Sequence, residues 1–267
     1  MLQLFLVGIG TGNPGHLTRE AEQAIRGADL ILLPHKEDNK AELAQVRLAL
    51  LQELSVSEAR IAHFDMPLRR QQGDDYGSQV DEWHDAIARR WQDCLHAHLP
   101  SGTGRVALLV WGDPALYDST LRIASRLGLS SGQVQVVPGI TSMQVLCSAH
   151  GIALNAIGAP FLVTTGRQLR ENGWPQGVDT LVVMLDGQCS YEQVTEPGAV
   201  IYWGAYLGMP QQILLQGPLA AMQQVISSRR QQARQEHGWI MDIYLLRRDG
   251  AVAVGEVDEV DEARAAG

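Results

Sequence analysis

The chain has 267 residues, 45% of them hydrophobic and 19% charged, which excludes a mainly disordered protein and allows one large domain or two of ordinary size. Lys and Arg total 21 against 30 Asp and Glu, a formal charge of −9, which argues against a bulk nucleic-acid binder but leaves room for a local basic pocket.

In chain order, the opening MLQLFLVGIG lacks a positive region and a small-residue cleavage site, so no signal peptide is expected. Leu2 to Val7 is an apolar run ended by Gly8-Ile9-Gly10-Thr11-Gly12, which predicts a buried strand entering a glycine turn. A helix follows, with Thr18 as N-cap, Leu17, Ala21, Ala24, Ile25 and Ala28 at helical spacing, and Gly27 at its end. Leu30 to Leu33 predicts a second buried strand, closed by Pro34. Residues 35–75 are more charged and less periodic, with one helix over Ala44 to Leu54. Val80 to Leu99 predicts a clearer helix, in which Val80, Trp83, Ile87, Trp91 and Leu95 form the core side. Arg105 to Trp111 predicts a strand that turns at Gly112-Asp113-Pro114; a helix over Ser119 to Leu127 and a strand over Val134 to Val137 follow. This alternation predicts a parallel α/β sheet.

Beyond about residue 140 the texture changes. Phe161–Thr165, Thr180–Leu185, Ala199–Trp203 and Trp239–Leu246 are strand-like, and 141–150 and 218–236 helical. The expected organisation is an α/β domain over 1–138 and a second, mixed-sheet α/β domain over 139–267, ending in a frayed tail from Gly255. Cys94, Cys147 and Cys189 are odd in number without CxxC spacing, and Cys94, His96 and His98 lack a supporting carboxylate. Neither a disulfide framework nor a metal site is expected, and a reducing cytoplasm is the default. No apolar run approaches the roughly 18 residues of a membrane helix.

The glycine turn is not a standard nucleotide loop. A dinucleotide fingerprint needs glycine where Asn13 stands and an acid where Pro34 closes the second strand, and there is no phosphate-loop or nucleophile-elbow motif. Trp111-Gly112-Asp113-Pro114 ends an apolar strand, where a parallel sheet opens on its ligand crevice. There Asp113 can accept hydrogen bonds from a ligand or serve an ordinary turn. Asp242 interrupts the apolar run Trp239–Tyr244 on the face of Ile240 and Tyr244; it either faces solvent on an edge or lines a pocket.

Three motifs in order resemble the tetrapyrrole (corrin/porphyrin) methylases. They are Val7-Gly8-Ile9-Gly10-Thr11-Gly12-Asn13-Pro14 with Leu17-Thr18, Gly112-Asp113-Pro114 with Tyr117, and Val137-Pro138-Gly139-Ile140-Thr141-Ser142. His63-Phe64-Asp65-Met66-Pro67, Trp83-His84, Thr164-Thr165-Gly166-Arg167 and Val183-Met184-Leu185-Asp186-Gly187 resemble the deacetylating branch of that family, as does the charged stretch from Lys36 to Arg47. The resemblance implies two α/β domains with S-adenosylmethionine in the cleft between them, in a homodimer. It implies methylation of precorrin-5 at C1 with release of acetate, giving precorrin-6A for cobalamin; the alternative is methylation of another precorrin, such as precorrin-4 at C11, without deacetylation. S-adenosylhomocysteine would be the spent cofactor. No metal, nucleic acid or membrane is implied.

By matching motifs, Trp111, Gly112, Asp113, Leu116, Thr141 and Ser142 would line the cofactor. Met184, Leu185 and Gly204 would complete the site, with Thr11 near cofactor or substrate. Trp111 departs from the family, where most members have glycine, and Pro34 stands where relatives acting on uroporphyrinogen carry an aspartate base. Arg69, Arg70, Arg167 and Arg170 are the candidates for the substrate's carboxylates, which suit forked guanidinium groups. The hydrolytic half needs a base. His35, Tyr117, Asp118 and Asp242 are candidates by expected position, and none is assigned the role. A nicotinamide-dependent dehydrogenase is disfavoured by Asn13 and the misplaced acid. A non-catalytic tetrapyrrole carrier would not need the Gly-Asp-Pro loop.

Overall fold

The computed structural model describes residues 1–35, 41–67 and 76–248. Its first half is built on five strands: β1 (Leu2–Gly8), β2 (Leu30–Pro34), β3 (Ile61–Phe64), β4 (Gly104–Val110) and β5 (Val134–Val137). They pair in the order β3-β2-β4-β1-β5, every pair parallel. The unbroken apolar runs follow from burial on both faces. Alternate residues Phe5, Val7, Ile31, Leu33, Ala107 and Leu109 join one core, which takes Ala21, Ala24 and Ile25 of helix α1 (Arg19–Arg26) and Leu50 and Leu51 of α2 (Ala41–Glu53). Their neighbours Leu4, Leu6, Leu30, Leu32, Val106 and Leu108 join the other, with Ile87, Trp91 and Leu95 of α3 (Tyr76–His98).

Local signals set the helix ends. The Thr18 hydroxyl accepts the Ala21 N–H at 3.1 Å, capping α1, and Gly27 is its C-cap. Trp91 is buried in the core, while the Trp83 indole donates to the Pro67 carbonyl at 2.8 Å. Helix α4 is shorter than expected: it covers Thr120–Ala124 and tightens into a 3-10 turn through Leu127.

The second half holds β6 (Phe161–Thr165), β7 (Thr180–Met184), β8 (Ala199–Ala205), β9 (Ile213–Pro218) and β10 (Asp242–Arg248), in the order β6-β7-β10-β8-β9. Only β6 and β7 run parallel, so this sheet is mixed. Helices α5 (Ser142–His150), α6 (Gly166–Asn172) and α7 (Leu219–His237) belong to this half, with α5 and α7 on opposite faces of its sheet. The molecule therefore has two α/β domains, one parallel and one mixed. Strands β3 and β9 and helix α6 go beyond the elements expected from sequence, and β10 begins at Asp242 rather than Trp239. Asp242 thus opens a strand paired on both sides, which removes the solvent-edge alternative.

Candidate functional site

The carboxyl ends of β1, β4 and β5 meet at a point with no room for side chains. A Cβ on Gly139 would stand 2.0 Å from the Gly112 carbonyl oxygen and 2.8 Å from Gly8 Cα. Gly10 and Gly112 exchange two backbone hydrogen bonds, Gly112 N–H to Gly10 at 2.7 Å and Gly10 N–H to Gly112 at 3.3 Å. Asp113 locks this junction. One carboxylate oxygen accepts the Gly139 N–H at 2.9 Å and the other the Ala115 N–H at 2.8 Å. The carboxylate therefore braces the loop after β4 against the end of β5. A Cβ on Gly12 would run into Met209 and Trp111. The glycine turn is accordingly glycine-rich for close protein packing at these positions.

A cavity of about 360 Å³ opens between the two sheets. Thr11, Trp111, Gly112, Asp113, Leu116, Thr141, Ser142, Met184 and Leu185 line it, drawn from four separate segments. The amino end of α5 faces it through Thr141 and Ser142; a capping box pairs the Thr141 N–H with Gln144 at 2.7 Å, and the helix dipole at this end favours a negative group. Trp111 packs against the cores of both domains. Three non-glycine residues on the lining, Tyr117, Leu185 and Tyr206, have left-handed backbones with φ of 50°, 54° and 50°. Leu185 also leaves 66% of its surface exposed. Strained backbones of this kind cluster at ligand clamps.

One wall rests on a buried polar network. Arg230 of α7 donates from Nε to Asp242 Oδ2 at 2.9 Å and from Nη2 to Asp242 Oδ1 at 3.4 Å. The Trp203 indole donates to Asp242 at 3.0 Å, and Arg230 also reaches the Asp186 carbonyl at 3.2 Å. Burial pushes the Asp242 carboxyl up, against the opposing pull of the bonded guanidinium and indole. The Asp186 carboxylate accepts from Ser190 N–H at 2.6 Å, Ser190 hydroxyl at 2.7 Å, Tyr244 hydroxyl at 2.7 Å and Arg170 at 3.3 Å. Burial first, and then Asp186 beside it, push the Tyr244 phenol up. These bonds hold the loop after β7, and with it Met184 and Leu185, in place.

The expected residues divide clearly. Nine of the ten expected cofactor residues line the cavity; Gly204 does not. It lies inside β8, where a Cβ would meet Leu207 and Leu146, so packing explains its lack of a side chain. Arg170 is held by Asp186 at 3.3 Å and by the Ser190 hydroxyl at 2.6 Å, and it lies off the cavity lining. Arg167 is exposed on α6, off the cavity lining. Arg69 and Arg70 lie outside the described residues. Of the four base candidates, Tyr117 donates to the Val163 carbonyl at 3.2 Å, and Asp118, two residues before α4 begins, accepts the Thr120 N–H at 2.6 Å. Asp242 is committed to Arg230, and His35 stacks on His63 at the end of β2, off the lining. Sequence reasoning missed Arg230, Tyr206 and Leu207. Arg230 carried a readable signal: with Ile226 and Ala233 it forms the buried side of α7, a charge set in an apolar stripe.

One parallel and one mixed α/β domain with a cleft between their sheets define a two-domain α/β protein. The family model described as Tetrapyrrole (Corrin/Porphyrin) Methylases matches residues 3–223, and the chain belongs to that family. The chain is 44% identical over 254 residues to a Sinorhizobium protein named precorrin-6A synthase [deacetylating], covering 93% of this chain and 96% of that one. Among solved structures, a cobalamin synthesis related protein (CobF) from Corynebacterium diphtheriae superposes with a TM-score of 0.77 at 36% identity, covering 93% of this chain and 99% of that one. A uroporphyrin-III C-methyltransferase from Thermus thermophilus, complexed with S-adenosyl homocysteine, shares the fold at a TM-score of 0.54 and 20% identity, with 92% of each chain covered.

Proposed function

We propose that this chain catalyses the S-adenosylmethionine-dependent methylation of precorrin-5 at C1 with release of acetate, giving precorrin-6A in cobalamin biosynthesis. The observation that carries the reading is the near full-length 44% identity to the Sinorhizobium precorrin-6A synthase. The cleft supports it. Its volume lies in the usual range for small-ligand sites, and its walls mix apolar Trp111, Leu116 and Met184 with the amino end of α5. These features fit an S-adenosyl group with its carboxylate. Thr11, Trp111, Gly112, Asp113, Leu116, Thr141, Ser142, Met184 and Leu185 would hold that cofactor, which supplies an electrophilic sulfonium methyl when bound.

The chain's own contribution to methyl transfer is positioning, which in well-oriented reactions supplies about 7–11 kcal/mol. The braced glycine junction and the Asp186 network make both walls rigid before any ligand arrives. The acetate-releasing half needs water activated by a base and donors for the developing oxyanion.

The same reading includes a homodimer. Val136 on edge strand β5 and Phe161 and Leu162 on edge strand β6 are exposed apolar groups, with Ile157 fully exposed nearby in sequence. Exposed apolar groups at sheet edges support pairing with a second copy of the chain; light scattering at the size of one chain would remove that part. The expected boundary at Pro138–Gly139 and a cytoplasmic site of action belong to the same proposal.

Anaerobic incubation with precorrin-5 and methyl-labelled S-adenosylmethionine tests the activity. Acetate together with one labelled methyl per macrocycle is expected. Methylation without acetate would move the assignment to another precorrin, and neither product from folded protein would refute it.

A further inference from the structure

Arg47 is a charge on the buried side of α2. Leu50, Leu51 and Leu54, three, four and seven residues on, are buried in the core of the first domain. The Arg47 guanidinium carbon lies over the face of the Trp111 ring, 4.9 Å from its centroid. Trp111 is a wall of the cleft. Nε of Arg47 is shut off from solvent and has no hydrogen-bond partner among the described residues. Asp118, the acid that acts on it electrostatically, already accepts two hydrogen bonds from Thr120, and among the described residues no carboxylate forms an ion pair with Arg47.

A guanidinium presents five donors in a fixed plane, and stripping it of water without a partner is unfavourable. Burial accordingly lowers Arg47 to about 10, which leaves it charged at neutral pH. The indole face offsets part of this through cation–π attraction and fixes the plane of the fork. An acidic protein thus holds against the wall of its cleft an oriented cation whose Nε has no hydrogen-bond partner and which forms no ion pair among the described residues. The arrangement lacks an anion that matches the fork, and a carboxylate matches it bidentately.

We propose that Arg47 binds a side-chain carboxylate of the tetrapyrrole substrate at the rim of the cleft, with Trp111 as the platform that aims it. The inference rests on the function proposed above. Substrate, rather than cofactor, is the source of the carboxylate, because Arg47 lies outside the cavity lining and serves a ligand that extends past Trp111.

The test is anaerobic titration of wild type, Arg47→Gln and Arg47→Lys with precorrin-5, and separately with S-adenosylhomocysteine. Steady-state KM and kcat and thermal melting are followed in parallel. Arg47→Gln is expected to weaken precorrin-5 binding about tenfold to a hundredfold, as loss of a charged hydrogen bond does. Arg47→Lys should fall between the two, because it keeps the charge but loses the fork. S-adenosylhomocysteine affinity should stay within about twofold, and KM should carry more of the loss than kcat. Unchanged precorrin-5 affinity in either folded variant overturns the inference and leaves the activity standing. Loss confined to S-adenosylhomocysteine overturns it in favour of a cofactor contact. If Arg47→Gln does not fold, the Arg47→Lys titration decides alone. A wild-type protein that binds no precorrin-5 refutes the function and this assignment together.

Discussion

Replacing Arg230 by Met removes the cation from the Asp242 pair while keeping most of the side chain's packing volume. The side chains of Arg230 and Asp242 are only 10% and 8% exposed, so solvent does little to screen the loss. Breaking such a pair costs about 3–5 kcal/mol, because the remaining charge stays buried alone. The bond to the Asp186 carbonyl is lost as well, which adds about 1 kcal/mol, so the upper half of that range is expected for Arg230→Met. Asp242→Asn strands the guanidinium in turn. The double variant buries no charge and keeps an acceptor for the Trp203 indole, so it should cost less than the sum of the singles by about 2–3 kcal/mol. The pH dependence has a definite sign. Burial already raises Asp242 above its unfolded value. The folded state therefore holds that proton more tightly, and stability falls as pH climbs from the unfolded value of about 3.9 to the folded one. Removing Arg230 widens this window upward, so the penalty of Arg230→Met should be smaller at pH 5.5 than at pH 8. Urea unfolding of the four proteins at both pH values measures it. A penalty below about 1 kcal/mol that is additive and independent of pH would refute a desolvated ion pair.

Gly139→Ala forces a methyl to 2.0 Å from the Gly112 oxygen. Backbone on both sides cannot yield cheaply, so a loss of at least about 3 kcal/mol is expected, with weakened S-adenosylhomocysteine binding by calorimetry. Asp113→Ala removes the acceptor of the Gly139 and Ala115 N–H groups. It should cost about 1–3 kcal/mol in thermal or urea unfolding and loosen cofactor binding by detaching the loop from β5. Tyr117→Phe deletes one half-exposed hydroxyl that bonds the Val163 carbonyl. Stability should fall by about 0.5–1.5 kcal/mol and kcat by less than about tenfold; acetate release abolished while methyl transfer persists would instead mark Tyr117 as the acid or base.

The strands of the first domain are legible because burial on both faces makes each a continuous apolar run, and glycine marks where three of them converge. Strand β3 is hidden because it has four residues, one of them the exposed His63, between charged stretches. Strand β9 sits at a sheet edge and ends in Gly217-Pro218, both of which weaken a strand pattern. The cleft's loops were readable for the same reason as the strands they end. Its charges were not, because their meaning depends on partners from other elements. Arg170 reads as a surface cation until Asp186, sixteen residues on, meets it. Arg47 and Arg230 each stood within an apolar helical stripe, a sign of burial that sequence reasoning passed over.

Because Trp111 belongs to the cores of both domains, it also acts as a mechanical tie. An aromatic side chain of this kind buries about 150–250 Å², worth about 4–6 kcal/mol at full burial and proportionally less for a partly exposed ring. Swinging the domains apart at this point would pull the indole out of one core or the other and forfeit that burial. Wide parting of the halves is therefore a rarely populated state. Ligand exchange is therefore expected through the mouth of the cleft rather than by parting of the two halves.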